Sequence, residues 1–148
     1  MEFARQVAAL PVRREADGSV QVLLVTSRET ARWVIPKGWP WRGCKDCVAA
    51  AHEAREEAGV LGQVETEPMG SFVYQKRRSS GPELVRVDVY LIEVATQLDS
   101  WPEQDERQRA WFTLLDAAHA VSDHGLRDLL QAFAVKTPTL PPSSRKLE

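Results

Sequence analysis

The sequence predicts an α/β fold, a sandwich in which helices pack on a mixed β-sheet. Three observations carry this. β-branched apolar runs open the chain, one amphipathic helix interrupts them, and two long alternating runs then lead into segments of helical apolar spacing. Strands and helices in that order do not alternate as βαβα units, so a doubly wound parallel sheet is not expected. The 148 residues, 43% hydrophobic and 27% charged, suit one domain large enough to bury a core.

The elements follow in order. Gln6 to Val12 and Val20 to Ser27 read as strands, and Asp17-Gly18 between them is a hairpin signal. "RWVIP" reads as a short strand stopped by Pro36, and "KGWPWRG" as a loop punctuated by glycine and proline. A helix is expected from Asp46, as N-cap, to Ala58, with Gly59 just past its end. "SFVYQKRR" and "LVRVDVYLIEV" are strands turned at "SSGP", and "AWF" is a short one. "TLLDAAHAV" and "GLRDLLQAFAV" read as helices covering the sheet. One domain is thus expected over residues 1–135, with 136–148, rich in proline and serine, as a disordered tail.

Composition excludes several classes. A net charge of −2 predicts no bulk attraction to nucleic acid or to anionic membranes. No run approaches the roughly 18 apolar residues of a membrane span, and the N-terminus has no signal-peptide pattern. The cytoplasm is the expected location. Cys44 and Cys47 form a C-x-x-C pair without the second pair that zinc requires, so two small, partly buried side chains are expected and no zinc.

The stretch "HEAREEAGV" poses the chemical question. With Glu53 at zero on a helical wheel, Glu57 falls at about +40° and Glu56 at about −60°, so three like charges share one face. Such neighbours repel. Cys47, Ala51, Ala54 and Ala58 make a stripe of small residues on another side, which lets the helix press close to a sheet. A solvated face softened by Arg55 would explain the glutamates. So would a hard cation such as Mg²⁺ or Mn²⁺, which bridges a few carboxylates to substrate phosphates.

Residues Gly38 to Val60, "GWPWRGCKDCVAAAHEAREEAGV", resemble the Nudix box, G-x5-E-x7-R-E-U-x-E-E-x-G-U, where U is bulky and aliphatic. Gly38, Glu53, Glu56, Glu57, Gly59 and Val60 match at the right spacing. Cys44 stands where a glutamate is expected, His52 where arginine is, and Ala54 where the aliphatic residue is. "PKGW" and "WPEQDERQRAWF" extend the resemblance toward the branch that acts on diphosphoinositol polyphosphates and diadenosine polyphosphates. The resemblance implies a Nudix-type α/β/α sandwich with a loop-helix-loop. It also implies a hydrolase that cleaves a phosphoanhydride bond with Mg²⁺ or Mn²⁺, the metal held by Glu53, Glu57, Glu56 and the carbonyl of Gly38. Glu53 or Glu56 would orient or deprotonate the attacking water, and His52 would orient Glu53. The departures at Cys44 and His52 leave room for a degenerate domain that binds a polyphosphate as a regulator. A third possibility is an RNA 5′-pyrophosphohydrolase.

Basic residues gather where a small-molecule polyphosphate or nucleotide would lie. Lys37 and Arg28 are the first candidates to bind it, then Arg32 and Lys76, with Arg42, Lys45, Arg77, Arg78 and Arg86 nearby in sequence. Trp33 and Trp111 read as core, whereas Trp39 and Trp41 lie beside the acidic helix and can pack on substrate. Glu103 and Glu106, in the loop after Trp101, are candidates for a supplementary ligand or base. The sequence sets neither the oligomeric state nor the choice between Mg²⁺ and Mn²⁺.

Overall fold

A computed structural model describes residues 3–136. Eight strands form one sheet: β1 (Ala4–Arg14), β2 (Val20–Thr26), β3 (Trp33–Val34), β4 (Lys37–Gly38), β5 (Val60–Val64), β6 (Gly70–Arg78), β7 (Gly81–Gln97) and β8 (Arg109–Thr113). The path runs β3-β2-β1-β7-β5, while β8 pairs with β2, β4 with β1 and β6 with β7. β1 and β7 are parallel from Ala4↔Val85 to Val12↔Glu93, and the hairpin partners are antiparallel. The sheet is therefore mixed, as expected.

Helices cover both faces. Adjacent residues of a strand point to opposite sides, so Leu23 and Leu24 enter different cores. Leu24, Leu10 and Val87 pack beneath α2 (Leu114–Ala120) and α3 (His124–Lys136), which contribute Leu114, Leu126 and Leu130. Leu23, Val7 and Ile92 face α1 (Asp46–Glu53), whose Cys47, Ala49 and Ala50 are buried. Side chains this small bring the helix backbone close to the sheet, and its carboxylates with it. The α/β/α sandwich is the observed fold.

Four details differ from the expectation. α1 ends at Glu53 and continues as a π-helical turn, Ala54–Ala58, before Gly59 closes it in the left-handed conformation at φ 68°. A π turn is a common device at functional sites, and this one carries Glu56 and Glu57. The N-cap is Lys45 rather than Asp46, which is the first helical residue and pairs with Arg5 at 2.7 Å. Lys37 and Gly38, expected in a loop, form a two-residue strand on β1. β5 was not expected, because Gly62 and the polar Gln63 interrupt its pattern where the pairing with β7 bulges. Lys136 closes α3, and the rest of the expected tail lies outside the described residues. Among the described residues no helix is long and apolar enough to cross a membrane.

Candidate active site

The site is assembled where β4 meets the end of the acidic helix. β4 is fixed to β1 by Val7↔Gly38 and Ala8↔Lys37. From there the Lys37 N–H donates to Oε1 of Glu57 at 3.3 Å. Gly38 lies against the other carboxylate: a Cβ on it would stand 2.5 Å from Oε2 of Glu53. Only a residue without a side chain permits that approach. Two consecutive backbone positions thus hold two consecutive turns of the helix.

Glu57 is 7% exposed, a burial that ionised carboxylates rarely tolerate unless paired. It and Glu53 share a hydrogen bond. Burial pushes the Glu57 carboxyl up to about 8 and raises Glu53 as well, because both lose water that would solvate their charge. The charge of Glu53 raises Glu57 further, while the Arg107 guanidinium opposes that rise; at Glu53 the contact with Glu57 works the other way and lowers it, against the repulsion of Glu103 and Glu56. A divalent cation would let both ionise, and the donor set is all oxygen, so the residues fit Mg²⁺ or Mn²⁺. Among the described residues no three acidic, histidine or cysteine side chains already form a closed cage. Mg²⁺ needs none, since it keeps several waters and binds through one or two carboxylates plus substrate phosphates.

The remaining sequence candidates are distributed around this pair. Glu56 pairs with Arg55 at 2.9 Å, so Arg55 softens the repulsion at that one position, although the Glu56 charge still raises Glu53. The ring of His52 meets Trp41 edge to face, 4.4 Å between centroids, which ties the loop before α1 to the helix. Lys37 sends its ammonium 5.0 Å over the ring of Tyr74, and burial pushes its pKa down. With Arg32, Phe72 and Asp123 it lines a cavity of about 40 Å³ on the α3 side of the sheet. Lys76 is near enough to press on the Lys37 charge. Arg28 lies apart, paired with Glu106 at 3.2 Å across a crevice of about 660 Å³ between the β2–β3 turn and the loop that follows Trp101. Ala31 in that turn has φ 54°, left-handed backbone that non-glycine residues seldom adopt. Trp39 and Trp41 are exposed, and Arg78 lies 5.0 Å over Trp39. Trp33 and Trp111 are partly buried against opposite cores. Cys44 and Cys47 are free thiols, the second buried.

Sequence reading missed the arginines that hold this site. The indole N–H of Trp101 donates to the Glu57 carbonyl at 3.1 Å, and the N–H of Glu103 to the Glu56 carbonyl at 3.2 Å. Arg109 donates to the carbonyls of Ala58 at 2.9 Å and Gly59 at 3.3 Å, its guanidinium 3.7 Å above the Trp101 ring. The carbonyls that a helix end leaves unpaired are thereby taken up by the Trp101 loop and by the first residue of β8. Arg107, its side chain 8% exposed, reaches Glu103 at 2.7 Å and Glu57 at 3.7 Å. The i,i+4 pair Glu103 and Arg107 was a local signal available in the sequence. Its reach to Glu57, fifty positions earlier, was not.

The NUDIX domain profile matches residues 2–133. Nudix hydrolase 21, chloroplastic, of Arabidopsis thaliana is 30% identical over 135 residues, which are 88% of this chain and 66% of that protein. Diphosphoinositol polyphosphate phosphohydrolase 2 of Rattus norvegicus is 32% identical over 124 residues, 82% of this chain and 65% of that one. The chain spans between 54% and 66% of the length of the first three curated relatives it matches. A binary complex of C. elegans Ap4A hydrolase superposes with a TM-score of 0.67 at 21% identity, covering 90% of this chain and 97% of that one. A NUDIX hydrolase from Nitrosomonas europaea gives 0.68 at 19% identity, with 95% and 93% covered. A glycine that admits a glutamate, a second glutamate buried behind it, and a profile match over nearly the full chain lead to one conclusion: this chain belongs to the Nudix family.

Proposed function

We propose that the protein is a divalent-metal-dependent hydrolase that cleaves a phosphoanhydride bond in a nucleotide or polyphosphate, such as a diadenosine or diphosphoinositol polyphosphate. The observation that carries this is the Glu53–Glu57 pair: Glu57 is buried and accepts from the Lys37 N–H, and Glu53 is half-buried with its carboxylate against the Gly38 backbone. Glu53 and Glu57 would hold the metal, with the Gly38 carbonyl beside them and Glu56 joining once it leaves Arg55. Bound Mg²⁺ or Mn²⁺ neutralises phosphate charge and lowers the pKa of a coordinated water.

The chain's own groups supply the rest. Arg28, Arg32, Lys37 and Lys76 offer positive charge on two sides of the carboxylates, which suits a ligand with several phosphates. Glu103, 23% exposed and ion-paired to Arg107, is a candidate to take the proton of the attacking water. Trp39 and Trp41 offer exposed aromatic faces for the part of the substrate beyond its phosphates. His52 would act on Glu53 by its charge, which lowers the Glu53 pKa.

Diadenosine polyphosphates, diphosphoinositol polyphosphates, nucleoside triphosphates and 5′-triphosphorylated RNA, incubated in parallel with Mg²⁺ and their products (nucleotides, phosphate or pyrophosphate) separated by anion-exchange chromatography, test the reading. Turnover of at least one, lost in Glu57→Gln by about two orders of magnitude or more, is the expected result. Tight binding of one member without turnover would replace the enzyme with a regulatory binding domain.

A further inference from the structure

We propose that Arg107 is the positioning residue of this site: it fixes Glu57 of the helix and Glu103 of the following loop relative to one another, so that the metal meets carboxylates already in place. The inference rests on the function proposed above. One buried side chain has partners on three sides. Arg107 Nε donates to Glu103 Oε1 at 2.7 Å, and Nη1 donates to the Thr26 carbonyl at 3.0 Å. Nη2 lies 3.7 Å from Glu57 Oε2. Three edges of one planar group thus face three elements: the end of β2, the π-helical turn and the loop before β8.

Arg107 and Glu57 have side-chain exposures of 8% and 9%, so little water screens the pair. An uncompensated charge at that depth is costly. The neighbouring candidate for the task is engaged elsewhere, since the His52 ring packs on Trp41. The loop is independently anchored, through Trp101 to the Glu57 carbonyl and through Glu103 N–H to that of Glu56. Arg107 adds the side-chain connection to this backbone frame. Without it Glu57 and Glu103, which repel through space, lose the group that holds each at its angle.

A simple counterion would behave differently. If Arg107 supplied charge alone, lysine would replace it, and removing the charge altogether would tighten metal binding by removing a competing cation. If it sets geometry, lysine fails, because a point charge on a flexible stem cannot hold three separate partners as a planar fork does.

Mn²⁺ titration followed by electron paramagnetic resonance separates these cases in the natural protein, Arg107→Lys and Arg107→Met. Both variants are expected to bind Mn²⁺ about tenfold more weakly or worse, in the range seen when groups that orient metal ligands are removed. With a substrate turned over by the natural protein, kcat should fall about as far while KM stays within about threefold. Mn²⁺ affinity of Arg107→Lys equal to the natural protein, or tighter binding by Arg107→Met, overturns the inference and leaves the proposed function intact. No Mn²⁺ binding by the natural protein removes both. If either variant fails to fold by circular dichroism, Arg107→Gln takes its place: its neutral amide can donate to one partner but cannot hold three, so Mn²⁺ should again bind more weakly, whereas unchanged or tighter binding would overturn the inference.

Discussion

The Cα of Gly38 faces the carboxylate of Glu53 so closely that a single added methyl would stand 2.5 Å from one oxygen and 2.6 Å from the carboxyl carbon. Backbone and candidate metal ligand are in direct register. The contact is with the far end of a flexible side chain, so an alanine there would be accommodated by moving Glu53. The fold would survive and the site would be misaligned. Gly38→Ala should therefore keep its melting temperature to within a few degrees and lose about tenfold or more in kcat, since small misplacements of positioned groups are expensive in catalysis. Near-normal turnover would show that Glu53 works from more than one position.

Metal should stabilise the protein measurably. A ligand that binds only the folded state adds about 2.7 kcal/mol at a hundredfold excess over its dissociation constant. Thermal melts with and without Mg²⁺ or Mn²⁺ should show an upward shift in the natural protein, and chelator should reverse it. In Glu57→Gln the shift should largely vanish, because an amide is neutral and a poorer ligand for a hard cation. An equal shift in that variant would place the metal elsewhere.

Much of this site could be read from the sequence, and the reason is local. Glu53, Glu56 and Glu57 lie within two helical turns, so spacing alone placed them on one face, and Gly38 was tied to them through the box. What spacing could not say is which carboxylate is deeply buried. The π-helical turn from Ala54 and the contacts of Glu57 with Lys37 and Arg107 decide that, and the two contacts come from β4 and from the loop after Trp101. The basic residues were read as one cluster because their positions in sequence fall around the box. Their directions are set by the sheet instead. Lys37 points to the α3 side over Tyr74, while Arg28 spans a crevice to Glu106. The sandwich itself was legible because both cores use plain alternation, as at Leu23 and Leu24. β5 escaped because its glycine and bulge break the period.

The Trp101 loop and Arg109, which opens β8, should stabilise the fold by closing the helix end. Trp101→Phe keeps most of the ring and removes one hydrogen bond, to the Glu57 carbonyl, at an expected cost of about 1 kcal/mol. Arg109→Met removes donors to the carbonyls of Ala58, Gly59 and Leu98 and the cation over the Trp101 ring, and should cost roughly 2–4 kcal/mol. Denaturant unfolding with unchanged slope measures both. Arg109→Met no worse than Trp101→Phe would mean that water satisfies those carbonyls.

If a polyphosphate binds across Arg28, Arg32 and Lys76, its KM should depend on salt. These side chains are exposed or partly so, and their charges are screened over about 8 Å at physiological ionic strength. KM should rise severalfold as salt is raised above that level, with kcat much less affected. The exposed Arg28–Glu106 pair is worth little by itself, so an incoming phosphate takes the arginine at small cost. Arg28→Gln should raise KM and flatten its salt dependence. A KM indifferent to salt in the natural protein would remove the basic residues from substrate binding.

Tyr74 gives the fold an alkaline limit. Burial pushes its hydroxyl from 10 up to about 12, and that hydroxyl donates to Oε1 of Gln6 at 2.7 Å while the ring lies under Lys37. Because the folded-state value lies above the unfolded one, the neutral phenol favours the native state fully below pH 10, and that contribution is lost as pH rises toward 12. Absorbance titration of tyrosinate should show a step near pH 12 that Tyr74→Phe abolishes, and in denaturant the step should fall back to about 10. Tyr90, also raised by burial, remains in that variant as an internal reference above the ordinary range. A native titration complete at the ordinary tyrosine value would mean that the Gln6 contact opens freely to water, and with it the floor on which Lys37 is held.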